Sequence, residues 1–272
     1  MFVKSPLSVG VSVVLYKTPM SSVAPLLTDL QSAGATKIFV IDNSPVGFDQ
    51  TGDQYQSDVV DRIRVGQNLG YGRAHNIGIR RSVGTYRYHL ICNPDISIPR
   101  DAISLMVQFM EANPEVGLCM PKLIGVDGEM QYCCRRSPLA LDYISQIVLP
   151  RTWGRRRRDA LEMRSHDYQA QMDVQCLSGC FMFFRSEILR RLGGFDERFF
   201  MYFEDFDISV RSQMLARNIY FPVTHVVHER QSAHKKSWRL KFAFAKSAVL
   251  YFSKWGWIST QVPDGARMDH PS

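Results

Sequence analysis

Apolar and polar residues follow one another in a regular succession along the first 115 residues of the chain. Residues 9–15 (VGVSVVL) form a continuous apolar run, as expected of a parallel strand that is buried on both faces. Shorter runs with strand character recur at residues 37–41, 59–65 and 87–92. Helical spacing of apolar residues separates them at residues 21–33, 73–82 and 101–113. This alternation predicts an α/β fold with a mostly parallel central sheet flanked by helices.

The second half of the chain has a less regular pattern. Strand-like runs are predicted at residues 116–124 and 129–134, and residues 174–184 form a further apolar run. Residues 138–172 are predicted to be a polar, basic insertion between these strands. A helical segment that is both aromatic and basic covers residues 238–257 near the C-terminus.

Two aspartates come directly after predicted strands. Asp42 follows the strand at 37–41, and Asp95 follows the strand at 87–92 within the sequence Asn93-Pro94-Asp95. In open α/β sheets, ligands bind beyond the carboxyl ends of the strands. A carboxylate at that edge can hold a divalent cation against a diphosphate, because hard cations prefer oxygen ligands. The tripeptide is equally compatible with an Asx-type turn that caps the strand.

The segment NLGYGRAHN at residues 68–76 joins the third strand to a helix. Its glycines permit close backbone approach, and Arg73 lies near the helix N-terminus, where a phosphate would be favoured. A flexible loop with a helix cap is the structural alternative. The segment is not G-x-G-x-x-G, and the first strand leads into Lys17-Thr18-Pro19 without a glycine. Both features argue against a dinucleotide-binding oxidoreductase.

Three carboxylates, Glu204, Asp205 and Asp207, follow the aromatic residues 199–203. Burial against such a wall and like-charged neighbours raise carboxyl pKa values, and a group tuned in this way can act as a base. A charged helix start is the alternative, and it suits Asp207 best. His225 and His228 follow a predicted strand, and each is a weaker candidate for metal binding because a lone histidine is more often structural.

Net charge narrows the classes of ligand. The 272 residues carry a formal charge of +7, which fits a phosphate-bearing ligand, an anionic membrane surface or nucleic acid. Four consecutive arginines at 155–158 favour nucleic acid, but such a run is more often a solvated or lipid-facing surface. We therefore expect no nucleic-acid partner. No run approaches 18 apolar residues and no signal-peptide pattern begins the chain, so a cytoplasmic protein without a transmembrane helix is expected.

Several segments occur together in a diagnostic order. They are VSVVLY (11–16), IDNS (41–44), NLGYGRAHN (68–76), NPD (93–95), LSGCFMFFR (177–185), GGFDERFFMYFEDFD (193–207) and His228. In this order they resemble family 2 glycosyltransferases with the GT-A fold, especially the bacterial rhamnosyltransferases. The resemblance implies a GT-A domain over residues 1–232, with a nucleotide-binding half (1–115) and an acceptor and catalytic half (116–232). Residues 233–272 would form an amphipathic helical tail.

The resemblance also implies roles for individual residues. Asp205 would be the catalytic base, paired with Glu204. Asp95 would bind Mn²⁺ or Mg²⁺ as part of a degenerate D-x-D motif whose first position is Asn93, and His228 would lie near the metal or the diphosphate. Asp42 would contact the base or ribose of the nucleotide. The remaining donor-binding positions would be Tyr16, Asn68, Gly70, Arg73, Asn76 and Asn93.

The implied reaction is an inverting transfer of a sugar from a nucleotide-diphosphate donor to a hydroxyl group. By resemblance the donor is dTDP-L-rhamnose, and the acceptor is a lipid-diphosphate-linked glycan of a bacterial surface polysaccharide such as the O-antigen of lipopolysaccharide. A UDP-hexose or UDP-galactofuranose donor is the alternative within the family. A non-catalytic module that binds a nucleotide sugar or a glycan is the alternative from another class.

Two basic, aromatic segments, residues 149–158 and 235–257, predict peripheral attachment to the inner face of the bacterial inner membrane. Aromatic rings would lie at headgroup level and lysines would face anionic phosphates. The apolar residues of the second segment do not fall on one clean face. Packing of this tail on the catalytic domain, or on a second subunit of a homo-oligomer, is therefore the alternative.

Overall fold

The computed structural model describes residues 8–48, 55–148, 151–229 and 238–258, so the tail residues 233–237 and 259–272 and Leu149 lie outside the described residues. The strands are β1 (Val9–Leu15), β2 (Lys37–Pro45), β3 (Val60–Gly66), β4 (Tyr88–Cys92), β5 (Ile96–Ser97), β6 (Val116–Ile124), β7 (Cys134–Arg135), β8 (Met172–Asp173), β9 (Cys176–Leu177), β10 (Phe181–Arg185) and β11 (Arg217–His228). The helices are α1 (Met20–Ser32), α2 (Tyr71–Ser82), α3 (Ala102–Ala112), α4 (Ala140–Val148), α5 (Arg151–Leu161), α6 (Ser186–Leu192), α7 (Glu204–Gln213) and α8 (Trp238–Trp255).

A central sheet has the strand order β3-β2-β1-β4-β10-β6-β11-β5, and β8 pairs with β11. Strand β1 lies between β2 and β4, parallel to both, which explains its continuous apolar run. Strands β6 and β11 are also parallel, whereas β10 runs antiparallel to its neighbours β4 and β6. The predicted α/β sheet, mostly parallel and flanked by helices, is therefore confirmed.

Helix α2 packs closely against the sheet because residue 78 is a glycine and has no side chain. A Cβ atom at this position would lie 2.8 Å from the Cβ of Ser12 in β1. Beneath the helix, the Ser12 hydroxyl lies 2.7 Å from Nδ1 of His75 and 2.9 Å from Nε2 of His89. Burial lowers the pKa of His75 well below its usual value and that of His89 to about 3, so both imidazoles are neutral inside the core.

Helix α8 packs on the second half of the domain through a second apolar cluster. Tyr251, Phe252 and Trp255 of α8 lie in this cluster with Phe199 and Phe203 from the aromatic segment. The apolar residues of α8 fall on two faces. Phe244, Ala248, Tyr251 and Trp255 pack inwards, whereas Trp238, Phe242, Ala245 and Val249 are exposed. None of the helices in the described ranges has the length and apolar character that crossing a membrane requires.

One local prediction differs from the structure, and two further segments contain elements that the sequence pattern does not resolve. The strand predicted at 129–134 is reduced to a bridge between Ile124 and Met130, followed by the short β7. The apolar run at 174–184 contains two strands, β9 and β10, because the chain turns at residues 178–180. The insertion at 138–172 contains the helices α4 and α5. Apolar composition alone does not show where a strand begins or ends, and a polar, basic composition does not exclude helices.

Candidate active site

A cavity of about 260 Å³ lies beyond the carboxyl ends of the central strands, and we call it the strand-end cavity. It brings together residues at or just beyond the carboxyl ends of β1, β2, β3 and β4, where ligands bind in open α/β sheets. Five predicted site residues line it, namely Tyr16, Asn68, Gly70, Asn93 and Asp95. The other lining residues are Val14, Thr18, Asn43, Tyr71, Pro94 and Met201.

Asn43 and Asn68 shape one wall of the strand-end cavity. The Asn43 amide donates to Asn68 Oδ1 at 3.0 Å and to the Gly70 carbonyl at 3.1 Å, and its Oδ1 accepts from the backbone of Leu69 at 2.9 Å. Gly70 has a φ of 86°, and a Cβ there would lie 2.1 Å from the carbonyl oxygen of Phe200. Gly70 therefore lets this loop contact the segment that precedes the acidic residues.

Tyr71 connects the strand-end cavity to the acidic segment. Its hydroxyl lies 3.0 Å from Asn93 Oδ1 and 2.5 Å from the Gly179 carbonyl oxygen, and it can donate its proton to either. The backbone N–H of Gly179 in turn donates to Asp205 Oδ2 at 3.1 Å. A chain of polar contacts therefore runs from the strand end at Asn93 to Asp205.

Asp42, Arg73 and Asn76 do not line the strand-end cavity. Asp42 is buried, pairs with Arg62 at 2.6 Å and accepts from the backbone of Ser44 at 3.1 Å. Arg73 is half-exposed and pairs with Glu197 at 3.3 Å. Asn76 exchanges two hydrogen bonds with the backbone of Phe195, at 2.9 and 2.8 Å. These contacts give each residue a structural role, and their donor-binding roles stay predictions.

Asp95 and His228 meet where β5 pairs with the end of β11. His228 Nε2 lies 3.5 Å from Asp95 Oδ1, and its Nδ1 lies 2.9 Å from Gln131 Oε1. His225, on the same strand, is exposed, so of the two histidines only His228 lies beside Asp95. Asp95 Oδ1 is buried without a hydrogen-bond donor in the part of the chain that the structure describes.

These two side chains fit a divalent cation. The buried, unsatisfied carboxylate oxygen of Asp95, beside an imidazole that Gln131 holds by a hydrogen bond, is a suitable donor set for Mn²⁺ or Mg²⁺. Within the described ranges no group of three or more His, Cys, Asp or Glu side chains is arranged around one metal position. A bound ion would therefore take its other ligands from a diphosphate and from water.

Glu204 and Asp205 begin helix α7, immediately after two residues in the left-handed conformation. Tyr202 and Phe203 have φ values of 70° and 67°, which are uncommon for residues with side chains and cluster at functional sites. Asp205 accepts hydrogen bonds from the N–H groups of Gly179 and Phe206, at 3.1 and 2.9 Å. The backbone therefore fixes the position of the Asp205 carboxylate.

The two acids have different electrostatic environments. Burial, together with the charge of Asp205, raises the pKa of Glu204 to about 8, and Glu204 Oε2 has no hydrogen-bond partner among the described residues. Burial also raises the pKa of Asp205, but Arg135 and the N–H groups of Gly179 and Phe206 oppose this rise. Because the effect of burial is opposed at Asp205 and is reinforced at Glu204 by the charge of Asp205, a proton shared by the pair is favoured on Glu204.

A second cavity, of about 340 Å³, lies against these acids, and we call it the acid cavity. Its walls come from segments that are far apart in the sequence, including α4, α5, α7 and α8. The lining residues are Arg135, Tyr143, Arg158, Leu161, Glu162, Ser178, Tyr202, Phe203, Glu204, Asp205, Phe206 and Phe244.

Helix α8 holds the acidic segment in place. The Ser247 hydroxyl donates to the carbonyl of Met201 at 2.8 Å, just before the left-handed residues. The indole N–H of Trp255 donates to Asp207 Oδ1 at 2.9 Å, and Lys254 pairs with the same oxygen at 2.7 Å. Asp207 also pairs with Arg211 at 2.8 Å. Asp207 therefore has a structural role at the start of α7, in agreement with the charged helix start that the sequence offers as its alternative interpretation.

Sequence reasoning did not select Tyr71, Gly179, Arg135 and Phe244. Tyr71 lies inside the segment at 68–76, so an aromatic hydroxyl between its two glycines was an available signal. Arg135 and Phe244 carry no local signal, because each reaches the acid cavity only through the tertiary fold.

The arrangement of sheet and helices is shared with a solved structure. GalNAc-T7, solved with UDP, GalNAc and Mn²⁺, matches with a TM-score of 0.64 at 14% sequence identity, and the match covers 92% of this chain and 48% of that chain. At this identity the likeness concerns the fold alone. The predicted GT-A fold is confirmed by it.

Two sequence relatives are rhamnosyltransferases. The N-acetylglucosaminyl-diphospho-decaprenol L-rhamnosyltransferase of Mycobacterium tuberculosis is 27% identical over 179 residues, which are 62% of this chain and 58% of the relative's length. The rhamnosyltransferase WbbL of Escherichia coli K12 is 25% identical over 189 residues, 64% of this chain and 69% of the relative. The family model Glycosyl transferase family 2 matches residues 31–193, more than half of the chain, and includes the strand-end cavity's Asn68, Asn93 and Asp95. The chain therefore belongs to glycosyl transferase family 2.

Proposed function

We propose that this chain is an inverting glycosyltransferase whose base is Asp205. The observation that supports it is the polar chain from Asn93 through Tyr71 and Gly179 to Asp205, which joins the strand-end cavity to the acid cavity. A nucleotide-diphosphate sugar in the first cavity would present its anomeric carbon to an acceptor hydroxyl in the second. The carboxylate between them would accept the proton of that hydroxyl.

In this proposal the two acids act differently. Asp205 is ionised and held by two backbone N–H groups, so it accepts the proton of the acceptor as the new bond to the anomeric carbon forms. Glu204 is neutral near pH 7, so it does not repel the negative charge of Asp205. Asp95 and His228 would hold the divalent ion, which when bound supplies positive charge for the departing diphosphate.

The proposed donor is dTDP-L-rhamnose, with a UDP-hexose or UDP-galactofuranose as the alternative. The proposed acceptor is a lipid-diphosphate-linked glycan of a bacterial surface polysaccharide. The names of the two relatives support rhamnose, and the name of the mycobacterial relative supports a sugar on a polyprenyl diphosphate. Both assignments are proposals, because the chain spans only 58% of the mycobacterial relative.

A donor panel tests the activity. Purified protein is incubated with dTDP-L-rhamnose, UDP-glucose, UDP-galactose and UDP-galactofuranose, with and without a lipid-diphosphate-linked acceptor, and the release of nucleotide diphosphate is measured. We expect acceptor-dependent release with dTDP-L-rhamnose, loss of release after EDTA treatment, and recovery on addition of Mn²⁺ or Mg²⁺. Donor binding without release under every condition would instead indicate a non-catalytic sugar-nucleotide or glycan-binding module.

We also propose that the chain attaches peripherally to the cytoplasmic face of the bacterial inner membrane through the outer face of α8. Trp238, Phe242 and Val249 are exposed on one side of this helix, opposite the residues that pack inwards. Arg239, Lys241 and Lys246 are exposed on or beside the same face. An exposed aromatic stripe flanked by cations suits the interface of an anionic bilayer.

Co-sedimentation with liposomes tests this attachment. We expect the full chain to bind vesicles rich in phosphatidylglycerol, and added salt to weaken the binding. The double variant Trp238→Ala/Phe242→Ala should lose binding without loss of fold. The alternative result is that the folded chain does not bind vesicles at low salt but forms dimers, and that the double variant disrupts these dimers. In that case this face is a homo-oligomer interface.

A further inference from the structure

The acid cavity has an excess of guanidinium groups on one side. Glu162 lies near three arginines, one of which, Arg164, also pairs with Asp159 at 3.4 Å. Arg164, which does not line the cavity, donates twice to Glu162 Oε2, at 2.8 and 2.6 Å. The two arginines that line the cavity are farther from Glu162 Oε1, Arg158 at 3.3 Å and Arg135 at 3.9 Å. The charge of Glu162 is therefore compensated mainly from outside the cavity.

Arg135 is poorly satisfied by the protein itself. It belongs to β7, whose pairing with β9 places it opposite Cys176. Among the described residues, its side chain has a 3.5 Å hydrogen bond to the carbonyl of Tyr132, a distant pairing with Glu162 and an electrostatic interaction with Asp205, and it is 19% exposed. Guanidinium groups that are partly buried normally form short, charge-assisted contacts, so this geometry leaves Arg135 available for an anion in the cavity.

Arg158 faces the cavity from α5 and is 53% exposed. Its neighbours on the same helix are engaged differently. Arg155 points to Asp159, and Arg157 lies 3.5 Å from the buried Asp142, and neither lines the cavity. Arg158 is thus the member of the basic run at 155–158 that the fold directs towards the acids.

Aromatic rings form the opposite wall of the cavity. Phe244 of α8 packs edge-on against Tyr143 and Tyr202, with ring centroids 5.6 and 5.5 Å apart. Aromatic faces suit the C–H faces of a sugar ring, while the neighbouring polar groups can bind its hydroxyls. The cavity therefore combines a surface for a sugar, a base and two cationic side chains.

We propose that the acid cavity recognises an acceptor sugar that carries a phosphate or diphosphate, and that Arg135 and Arg158 bind this anionic group. The proposal rests on the proposed function, because it takes the cavity next to Asp205 as the acceptor site. With Glu204 neutral and Glu162 compensated by Arg164, the lining charges that remain are two guanidinium groups and Asp205. These charges sum to +1, so an anionic group beside the two arginines is favoured, and the sugar hydroxyl then faces Asp205.

Acceptors that differ only in phosphate test this inference. The same sugar is supplied as a lipid diphosphate, as a soluble methyl diphosphate and as a neutral alkyl glycoside, and kcat/KM is measured for each at saturating donor. We expect both phosphorylated acceptors to be preferred. Arg158→Gln should lower the ratio of kcat/KM for the phosphorylated acceptors to kcat/KM for the neutral glycoside by about tenfold. This is the loss expected for one charge-assisted contact. Arg155→Gln, on the same helix but outside the cavity, should behave as the wild type.

The outcomes separate this inference from the proposed function. Transfer to all three acceptors with equal kcat/KM would overturn phosphate recognition and leave the glycosyltransferase intact. A preference for the lipid diphosphate alone would show that the lipid is recognised instead, and would also overturn it. If no sugar is transferred, binding of the soluble methyl diphosphate glycoside is measured by calorimetry. If Arg158→Gln binds this glycoside about tenfold more weakly than the wild type does, the result supports the inference. Equal binding by the wild type and Arg158→Gln contradicts it.

Discussion

The strand-end cavity and the acid cavity are built in different ways. The first lies at the carboxyl ends of β1, β2, β3 and β4, and most of its residues come within a few positions of a strand end. The second is assembled from β7, α4, α5, α7 and α8, which span residues 134–255. Parallel strands bring their carboxyl ends together as a consequence of their topology, whereas the acid cavity depends on how separate helices pack.

This difference has consequences for what each cavity tolerates. The strand-end cavity is supported by backbone hydrogen bonds of the central sheet, so its position is secured by the most stable part of the fold. The acid cavity depends on side-chain contacts of α8 with the acidic segment, such as Ser247 with Met201 and Trp255 with Asp207. Variants in α8 should therefore affect the acid cavity more strongly than the strand-end cavity, whose lining α8 contacts through Met201.

The largest expected effect concerns the base. Asp205→Asn keeps the size of the side chain and removes its basicity, so we expect turnover to fall by roughly 10²–10⁴-fold with donor binding retained. Steady-state kinetics with titration calorimetry of the donor measures both. Glu204→Gln is the matched control, because an amide reproduces the neutral state of Glu204, and it should keep most turnover at pH 7. Equal losses in the two variants would contradict the assignment of distinct roles.

The next effect concerns the packing of α8. Trp255→Ala removes a buried ring and the indole donor of Asp207, so we expect the free energy of unfolding to fall by about 3–5 kcal/mol. Phe242→Ala, an exposed aromatic residue on the opposite face of the same helix, should change it by less than about 0.5 kcal/mol. Urea unfolding followed by circular dichroism measures both. Similar values would mean that α8 does not stabilise the domain.

A smaller effect tests the predicted nucleotide contact of Asp42, whose neighbour Asn43 lines the strand-end cavity. Asp42→Asn preserves the acceptor for the Ser44 backbone and removes the charge that pairs with Arg62. We expect the donor KM to rise about tenfold with kcat within a factor of two, because a contact remote from the reaction acts on substrate binding. Asp61→Asn, in the adjacent β3 and paired with Arg81 outside the cavity, is the control. An unchanged KM would restrict Asp42 to its structural ion pair.

The smallest effect is the dependence of stability on pH through Glu204. Its pKa in the folded protein, about 8, exceeds its ordinary value of 4.5, so the folded state binds this proton more tightly than the unfolded state. This contribution is present below pH 4.5 and is lost as the pH rises through 8. We expect the difference between the Tm of Glu204→Gln and the Tm of the wild type to increase by a few degrees in favour of the variant as the pH rises from 5 to 8.5. A constant difference would show that Glu204 ionises normally in the fold.

The extent of successful prediction differs between the two cavities for physical reasons. Asp95 and Asn93 were identified because a buried strand followed by a polar turn is a local signal. Arg73 and Asn76 share a segment with Gly70, yet their side chains contact Glu197 and Phe195 instead of the cavity. Within a helix, neighbouring side chains point in different directions, and sequence proximity to a site does not place a side chain in it.

The sequence by itself determined the α/β sheet, the edge at which the strand-end cavity lies, the acidic pair and the family. These follow from apolar periodicity and from short motifs, which are properties of neighbouring residues. Only the tertiary structure decided that Tyr71 contacts Gly179, 108 positions away, and that Ser137 contacts Tyr251, 114 positions away. It also decided that α8 presents one apolar face to the domain and another to the exterior. Such contacts depend on how whole elements pack, and no periodicity within a single segment encodes them.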